Sequence, residues 1–329
     1  MVGIPGPRME GVARELVRDL RVGGVILFAR NIEAPEQVWE LTRDLQREAL
    51  AATGRPLLLA VDQEGGRVQR LKAPFTLIPA ARELGATSTP AEVERLARQV
   101  ARELALVGLN VNLAPVLDVA RSPACPQWDR SYGSDPETAA SYGVAAIRGY
   151  LAGGIIPVAK HFPGLGDTLV DSHEVLPLAQ SGDPLRKVDL LPFRRAIAAG
   201  VPMVMTAHLK VPKWEARPAT LSPVALQVWL RRGLGFDGVI ITDDLEMGGI
   251  STNLPAPQGA REALAAGADL LLICNDWQAA WDSARLLAAD ASLAVRGREA
   301  ANRLHALRVA MPAQGSELKL VRGYFARRK

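Results

Sequence analysis

Gly238-Val239-Ile240-Ile241-Thr242-Asp243-Asp244-Leu245-Glu246-Met247 is a short, unbroken apolar run that ends in carboxylates. A run of this length, rich in Val and Ile and without polar alternation, reads as a strand covered on both faces, which is the habit of a parallel sheet. The same pattern recurs along the chain, at Gly24–Phe28, Leu57–Val61, Val111–Val116, Ile156–Ala159, Met203–Met205 and Asp269–Ile273, and Met1–Ile4 supplies one more short strand. Helix-like segments lie between the runs. Glu36–Ala51 places Val38, Leu41, Leu45 and Leu50 broadly at helical spacing, and Ala91–Leu106 and Pro223–Arg231 read the same way. Leu221-Ser222-Pro223 has the form of a cap followed by proline in the first turn, and the Ala-Gly pairs at 199–200 and 266–267 stand where helices should end before the next strand.

Eight strand candidates alternating with helices predict an α/β fold, a (β/α)₈ barrel in a single catalytic domain over residues 1–329. The competitor is an open doubly wound sheet, but no G-x-G-x-x-G follows the first strand, which weakens its dinucleotide-binding form. Ser251–Gln258 is the best loop candidate, and residues 312–329 read as a C-terminal extension.

Composition narrows the function. A chain of 329 residues that is 48% hydrophobic, 22% charged and has two cysteines can build a large core and is neither disordered nor disulfide-framed. The net charge is +4, with much of the surplus in Lys319, Arg322, Arg327, Arg328 and Lys329. Without a basic stripe interleaved with aromatics, this tail reads as a solvated end, and no nucleic-acid partner is expected. No apolar run approaches a membrane span and the start lacks the form of a signal peptide. A monomeric protein acting in the cytoplasm, without a membrane partner, is therefore expected.

In a parallel barrel, function gathers at the C-terminal strand ends. Reading each run outward gives Asp62, Asp118, Lys160 with His161, His208, Asp243 with Asp244, and Asn275. So many charged groups are costly to bury unless they are paired or used. The most informative stretch is Lys160-His161-Phe162-Pro163-Gly164-Leu165-Gly166-Asp167-Thr168-Leu169-Val170-Asp171-Ser172-His173. Asp171 and His173 are two apart, so in extended chain they share a face, and the carboxylate would support an imidazole as a general acid. An acid at a rigid strand end suits a nucleophile for an anomeric carbon, but spacing alone leaves Asp243 and Asp244 open.

These stretches, with Gly23-Gly24-Val25-Ile26-Leu27-Phe28-Ala29-Arg30-Asn31, Asp62-Gln63-Glu64-Gly65-Gly66-Arg67-Val68 plus Arg70, and Asp129-Arg130-Ser131-Tyr132-Gly133, occur in an order that resembles glycoside hydrolase family 3, in its bacterial β-N-acetylhexosaminidase branch. The resemblance covers nearly the whole chain. It implies a retaining exo-β-N-acetylglucosaminidase with Asp243 as nucleophile, His173 supported by Asp171 as acid/base, and Asp62, Arg70, Arg130, Lys160 and His161 holding sugar hydroxyls. His208 is given a place lining the pocket or a structural one. It further implies a GlcNAc-containing saccharide or muropeptide as partner and a part in peptidoglycan recycling. One departure is Leu165, where family members usually carry histidine between the two glycines; it puts loop packing in question more than chemistry.

Three other readings compete. A β-glucosidase, or an enzyme transferring the sugar to phosphate, stays within the family; the Asp171–His173 pair favours the N-acetylhexosaminidase branch. A metal-dependent hydrolase would draw on His161, His173 and His208, but no His-x-His ends the first strand and no helical His-x-x-x-His occurs. A non-enzymatic sugar binder would need neither Asp243 nor His173. No cofactor and no metal are expected.

Overall fold

The computed structural model describes residues 1–172, 174–179, 188–310 and 316–328. In chain order the strands are β1 (Val2–Gly3), β2 (Gly24–Leu27), β3 (Leu58–Val61), β4 (Gln63–Gly65), β5 (Val68–Gln69), β6 (Val111–Asn112), β7 (Ile156–Phe162), β8 (Met203–Thr206), β9 (Val239–Asp244) and β10 (Leu270–Leu272). β4 and β5 form an antiparallel hairpin; the other eight form one parallel sheet in the order β1-β2-β3-β6-β7-β8-β9-β10. The sheet closes on itself, because Val2 bridges Ile273 in parallel and the Gly3 N–H donates to the Ile273 carbonyl at 3.2 Å. Closure excludes the open doubly wound sheet and leaves a (β/α)₈ barrel.

Each run is apolar throughout because its two faces enter two different cores. Ile26, Leu58, Ala60, Val158, Met203, Met205, Val239 and Ile241 fill the barrel lumen. Their alternating neighbours Val25, Leu27, Leu59 and Val61, and on the other side Val204 and Ile240, pack under the surrounding helices. The helices Pro35–Thr53, Pro90–Leu106 and Val224–Gly233 correspond to the three read from sequence. Ser222 caps the last of these, its hydroxyl accepting the Ala225 N–H at 3.0 Å. Gly200 and Gly267 both adopt positive φ after their helices, the turn that an Ala-Gly ending permits.

Three boundaries differ from the sequence reading. β7 runs on through Lys160 and His161 instead of ending before them, and β6 stops at Asn112, the chain beyond it still accepting the Val158 and Lys160 N–H groups at the Ala114 and Pro115 carbonyls and bridging Lys160 through Val116. The loop at 251–258 is shorter than expected, since Gly248–Ser251 and Ala256–Ala266 are helical, Pro255 serving as the cap of the second. The C-terminal extension contains a helix, Leu318–Ala326, lying against Pro35–Thr53. Val321 and Phe325 are buried there, the Phe325 ring centroid 4.5 Å from that of Phe75, and Arg328 pairs with the buried Glu103. Lys319, Arg322 and Arg327 remain exposed, so the basic end is the solvated back of a docked helix. No described helix is long and apolar enough to cross a membrane.

Truncating a buried phenylalanine costs about 3–5 kcal/mol where the cavity cannot collapse. Phe325→Ala should therefore lower the urea-unfolding free energy by roughly 3 kcal/mol or more. An unchanged midpoint would mean that the C-terminal helix does not contribute to the cooperative fold.

Candidate active site

The lumen alternation carries upward into the site. Two residues beyond Ile26, Ala60, Val158 and Ile241 stand Phe28, Asp62, Lys160 and Asp243, and all four line a cleft of about 350 Å³ at the C-terminal mouth of the barrel. One more layer of the barrel has thus exchanged methyl groups for charge. His161 joins them because the register of β7 against β8 shifts between Ala159 and Phe162. Arg67, Arg70, Arg130, Asp244, Met247, Cys274 and Asn275 complete much of the wall. Of the sugar-holding candidates, Asp62, Arg70, Arg130, Lys160 and His161 therefore converge on one space.

The charges neutralise one another in a fixed pattern. Lys160 Nζ lies 2.8 Å from Asp62 Oδ1 and 2.6 Å from Glu64 Oε1. Arg130 grips Glu64 with both arms, Nε to Oε2 at 2.9 Å and Nη2 to Oε1 at 2.8 Å, and reaches Gln127 at 2.7 Å. Arg70 stands 3.6 Å from Asp62. Burial alone would raise the Glu64 pKa, but Arg130 and Lys160 outweigh it and hold the carboxyl well below the usual carboxylate range. Burial likewise opposes charge on Lys160, and Asp62 and Glu64 reverse that, raising its pKa. Glu64 belongs to the Asp62–Val68 motif but has no role implied there by the resemblance. The signal was there: Glu64 is two residues beyond Asp62, so extended chain aims both the same way. Buried Gln63 shapes the hairpin that returns Arg70 to the cleft, its side-chain oxygen accepting the Arg70 and Leu71 N–H groups at 3.1 and 3.0 Å.

The two aspartates of β9 differ in environment. Asp243 accepts the Asp244 N–H at 2.9 Å. Burial would raise its pKa, yet the groups around it, Lys160 and that amide among them, more than offset this and lower it. Asp244 is pushed up to about 7, first by burial and then by the charges of Glu246 and Asp243. At neutral pH Asp243 thus keeps its negative charge while Asp244 holds its proton far more readily than an ordinary carboxyl. Glu246 works elsewhere, accepting the backbone N–H groups of Cys274, Asn275 and Asp276 at 2.5, 2.6 and 2.7 Å and so fixing the loop after β10. His208 is fully buried behind β9: one ring nitrogen is 2.9 Å from the Thr220 hydroxyl and the other 2.8 Å from the Asp244 carbonyl. It supports the strand end and is not among the residues that line the cleft.

The segment after β7 is anchored at several points. Asp167 pairs with Arg121 at 3.3 Å, the Ser172 carbonyl accepts the Gly249 N–H at 3.1 Å, and the Ala179 N–H donates to the Lys210 carbonyl at 2.9 Å. Gly249 is needed there, because a Cβ would stand 2.9 Å from the Ser172 carbonyl oxygen. Asp171 is half-buried, its carbonyl accepting the N–H groups of Glu174 and Val175. His173 lies outside the described residues. Among the described residues, no three His, Cys, Asp or Glu side chains converge to hold a metal ion.

A sequence profile described as "Glycosyl hydrolase family 3 N terminal domain" matches residues 1–306. The chain belongs to glycosyl hydrolase family 3. A protein named beta-hexosaminidase from Pseudomonas aeruginosa (strain UCBPP-PA14) is 42% identical over 278 residues, 84% of this chain and 82% of that one. The solved structure of a family 3 β-N-acetylglucosaminidase from Paenibacillus sp. str. FPU-7 superposes with a TM-score of 0.92 at 37% identity, covering 100% of this chain but 66% of that longer one. A β-N-acetylhexosaminidase from Beutenbergia cavernae has a TM-score of 0.88 at 33% identity, with 94% and 96% covered. This chain is accordingly a glycoside hydrolase, and the cleft above is its candidate active site.

The departure at Leu165 has a packing explanation in this family 3 chain. Its side chain is buried with Ala207, Leu209 and Val211, so it roots the segment in an apolar pocket over β8. For Asp244 the raised pKa sets a sign. The folded protein holds its proton more tightly than the unfolded chain, so the associated stability is complete below about pH 4 and is lost as pH rises through about 7. Asp244→Asn, which cannot ionise, should gain stability relative to the parent across that window. Urea unfolding at pH 4, 6 and 8 checks it; a difference independent of pH would contradict the assignment.

Proposed function

We propose that this family 3 glycoside hydrolase is a retaining exo-β-N-acetylglucosaminidase that removes terminal β-linked GlcNAc from peptidoglycan fragments recycled in the cytoplasm. The observation that carries the reading is Asp243, an ionised carboxylate in the charged layer of the lumen with Lys160 and His161 beside it. The names of the relatives, beta-hexosaminidase and β-N-acetylglucosaminidase, support the sugar. Asp62, Lys160, Arg130 and Arg70 would bind its hydroxyls through charged groups, which strengthen such hydrogen bonds, and His161 through its ring nitrogen.

In the first step Asp243 attacks the anomeric carbon as His173, oriented by Asp171, gives its proton to the departing glycosidic oxygen. The anomeric C–O bond to the aglycone breaks as the ester bond to Asp243 forms. In the second step neutral His173 takes a proton from water, which displaces Asp243 and releases the sugar with its β configuration retained. Beside the cleft, a second depression of about 400 Å³ shares Arg67 and Arg70 with it and adds Lys72, against the single acid Glu33. That balance suits an aglycone bearing carboxylates, as a muropeptide does.

Asp243→Ala should abolish release of p-nitrophenol from p-nitrophenyl β-GlcNAc, and parent-like turnover would overturn the mechanism. His173→Ala should slow poor leaving groups far more than activated aryl glycosides, which need little protonation; equal losses would argue against the acid role. Comparison with the β-glucoside, with and without phosphate, separates glucosidase and phosphorylase activity from hydrolysis of GlcNAc. Lys72→Glu should raise KM for a carboxylate-bearing substrate several-fold at low salt and leave the neutral aryl glycoside unaffected. An equal change on both would remove the acidic-aglycone reading.

A further inference from the structure

Asp118 takes no part in the reaction as proposed, yet it is the carboxylate most completely enclosed near the cleft, with its side chain 0% exposed. Its two oxygens serve two different structures. Oδ2 is 2.7 Å from Nδ1 of His161. Oδ1 accepts the Leu165 N–H at 2.8 Å, with the His161 N–H further off at 3.4 Å. The backbone is held as well, since the Asp118 carbonyl accepts the Ser131 hydroxyl at 2.6 Å, next to Arg130.

The chemistry of these partners assigns the ring. A carboxylate only accepts, so the nitrogen facing it carries a proton. The other nitrogen, Nε2, faces Arg130 Nη2 at 3.4 Å. A guanidinium only donates, so Nε2 is left as an acceptor at the wall of the cleft. Leu165, on the other oxygen, is the buried root of the segment that goes on to Asp171 and His173.

We propose that Asp118 is a positioning residue for both halves of the site: one oxygen sets the tautomer and direction of His161, and the other pins the root of the acid/base segment. The proposal rests on the reading of this cleft as the sugar site. A merely structural aspartate, exchanged for its isostere, would show the loss in stability and not in the kinetics of the folded enzyme. In Asp118→Asn the new amide would still offer an oxygen to Leu165, but its NH₂ would face Nδ1 and drive the ring proton to Nε2. A donor would then stand where the cleft needs an acceptor, and the contact with Arg130 would become donor against donor.

The test compares the full chain with Asp118→Asn, His161→Ala, the double variant and Asp243→Ala on p-nitrophenyl β-GlcNAc. Asp118→Asn should melt near the parent temperature and lose about tenfold or more in kcat/KM, the equivalent of one misplaced hydrogen-bond partner. In the His161→Ala background it should cost nothing further, because residues acting through one another do not add. Parent-like kinetics for Asp118→Asn, or losses that multiply in the double variant, would overturn the role. Asp118→Ala, which removes the Leu165 acceptor too, should slow phenyl β-GlcNAc more than the p-nitrophenyl compound; equal slowing would refute the loop-root half. Should the variants not fold, ¹⁵N spectra of the parent histidines decide, and an Nε2–H tautomer at His161 would sink the proposal. Turnover by Asp243→Ala would instead defeat the reading of the site itself and so is told apart from failure of Asp118.

Discussion

Burying the ammonium of Lys160 between Asp62 and Glu64 is the interaction on which the rest of the site depends. Lys160 occupies a lumen position that Val158 fills with methyl groups one layer below. A cation there is tolerable only because two carboxylates touch it, and one of these is itself gripped by Arg130. Removing a single member of such a buried set costs roughly 3–5 kcal/mol, because it strands the others without partners. The same mutual neutralisation leaves Asp243 facing positive charge, so the electrostatics that make the layer stable also keep that carboxylate ionised.

Around this layer, other carboxylates act on the backbone instead of on substrate. Glu246 collects three amides after β10, Asp118 holds Leu165 and His161 after β6, and Glu103 ties the C-terminal helix to the chain at Thr76. Each lies where a loop must be given a shape that short strands cannot impose, and charged acceptors make the stronger hydrogen bonds there. The family 3 barrel is thus an apolar two-sided core topped by loops that buried acids set in place.

Much of this was legible in residue order. Unbroken Val- and Ile-rich runs meant strands covered on both faces, and their number and alternation with helices favoured a barrel over an open doubly wound sheet, a choice that the pairing of Val2 with Ile273 decides. The polar residues at their ends pointed to the mouth. Other features were not legible. Lys160 and His161 lie within β7, which a polarity-based boundary cuts short. The place of Glu64 in the cleft is not legible in its motif, since the hairpin that aims it there depends on buried Gln63. The contacts of the His208 ring with Thr220 and the Asp244 carbonyl join residues far apart in the chain and have no signal in its order.

By itself, then, the sequence determined the strand and helix pattern, the family, and which polar residues crown the barrel, because these follow from periodicity and order along the chain. Only the tertiary structure decided which charges are paired, how Asp243 and Asp244 differ, and that the basic C-terminal segment is a docked helix with a buried Phe325. The reason is physical: pKa values, tautomers and burial depend on distances between residues far apart in the chain, and those distances exist only once the barrel has closed.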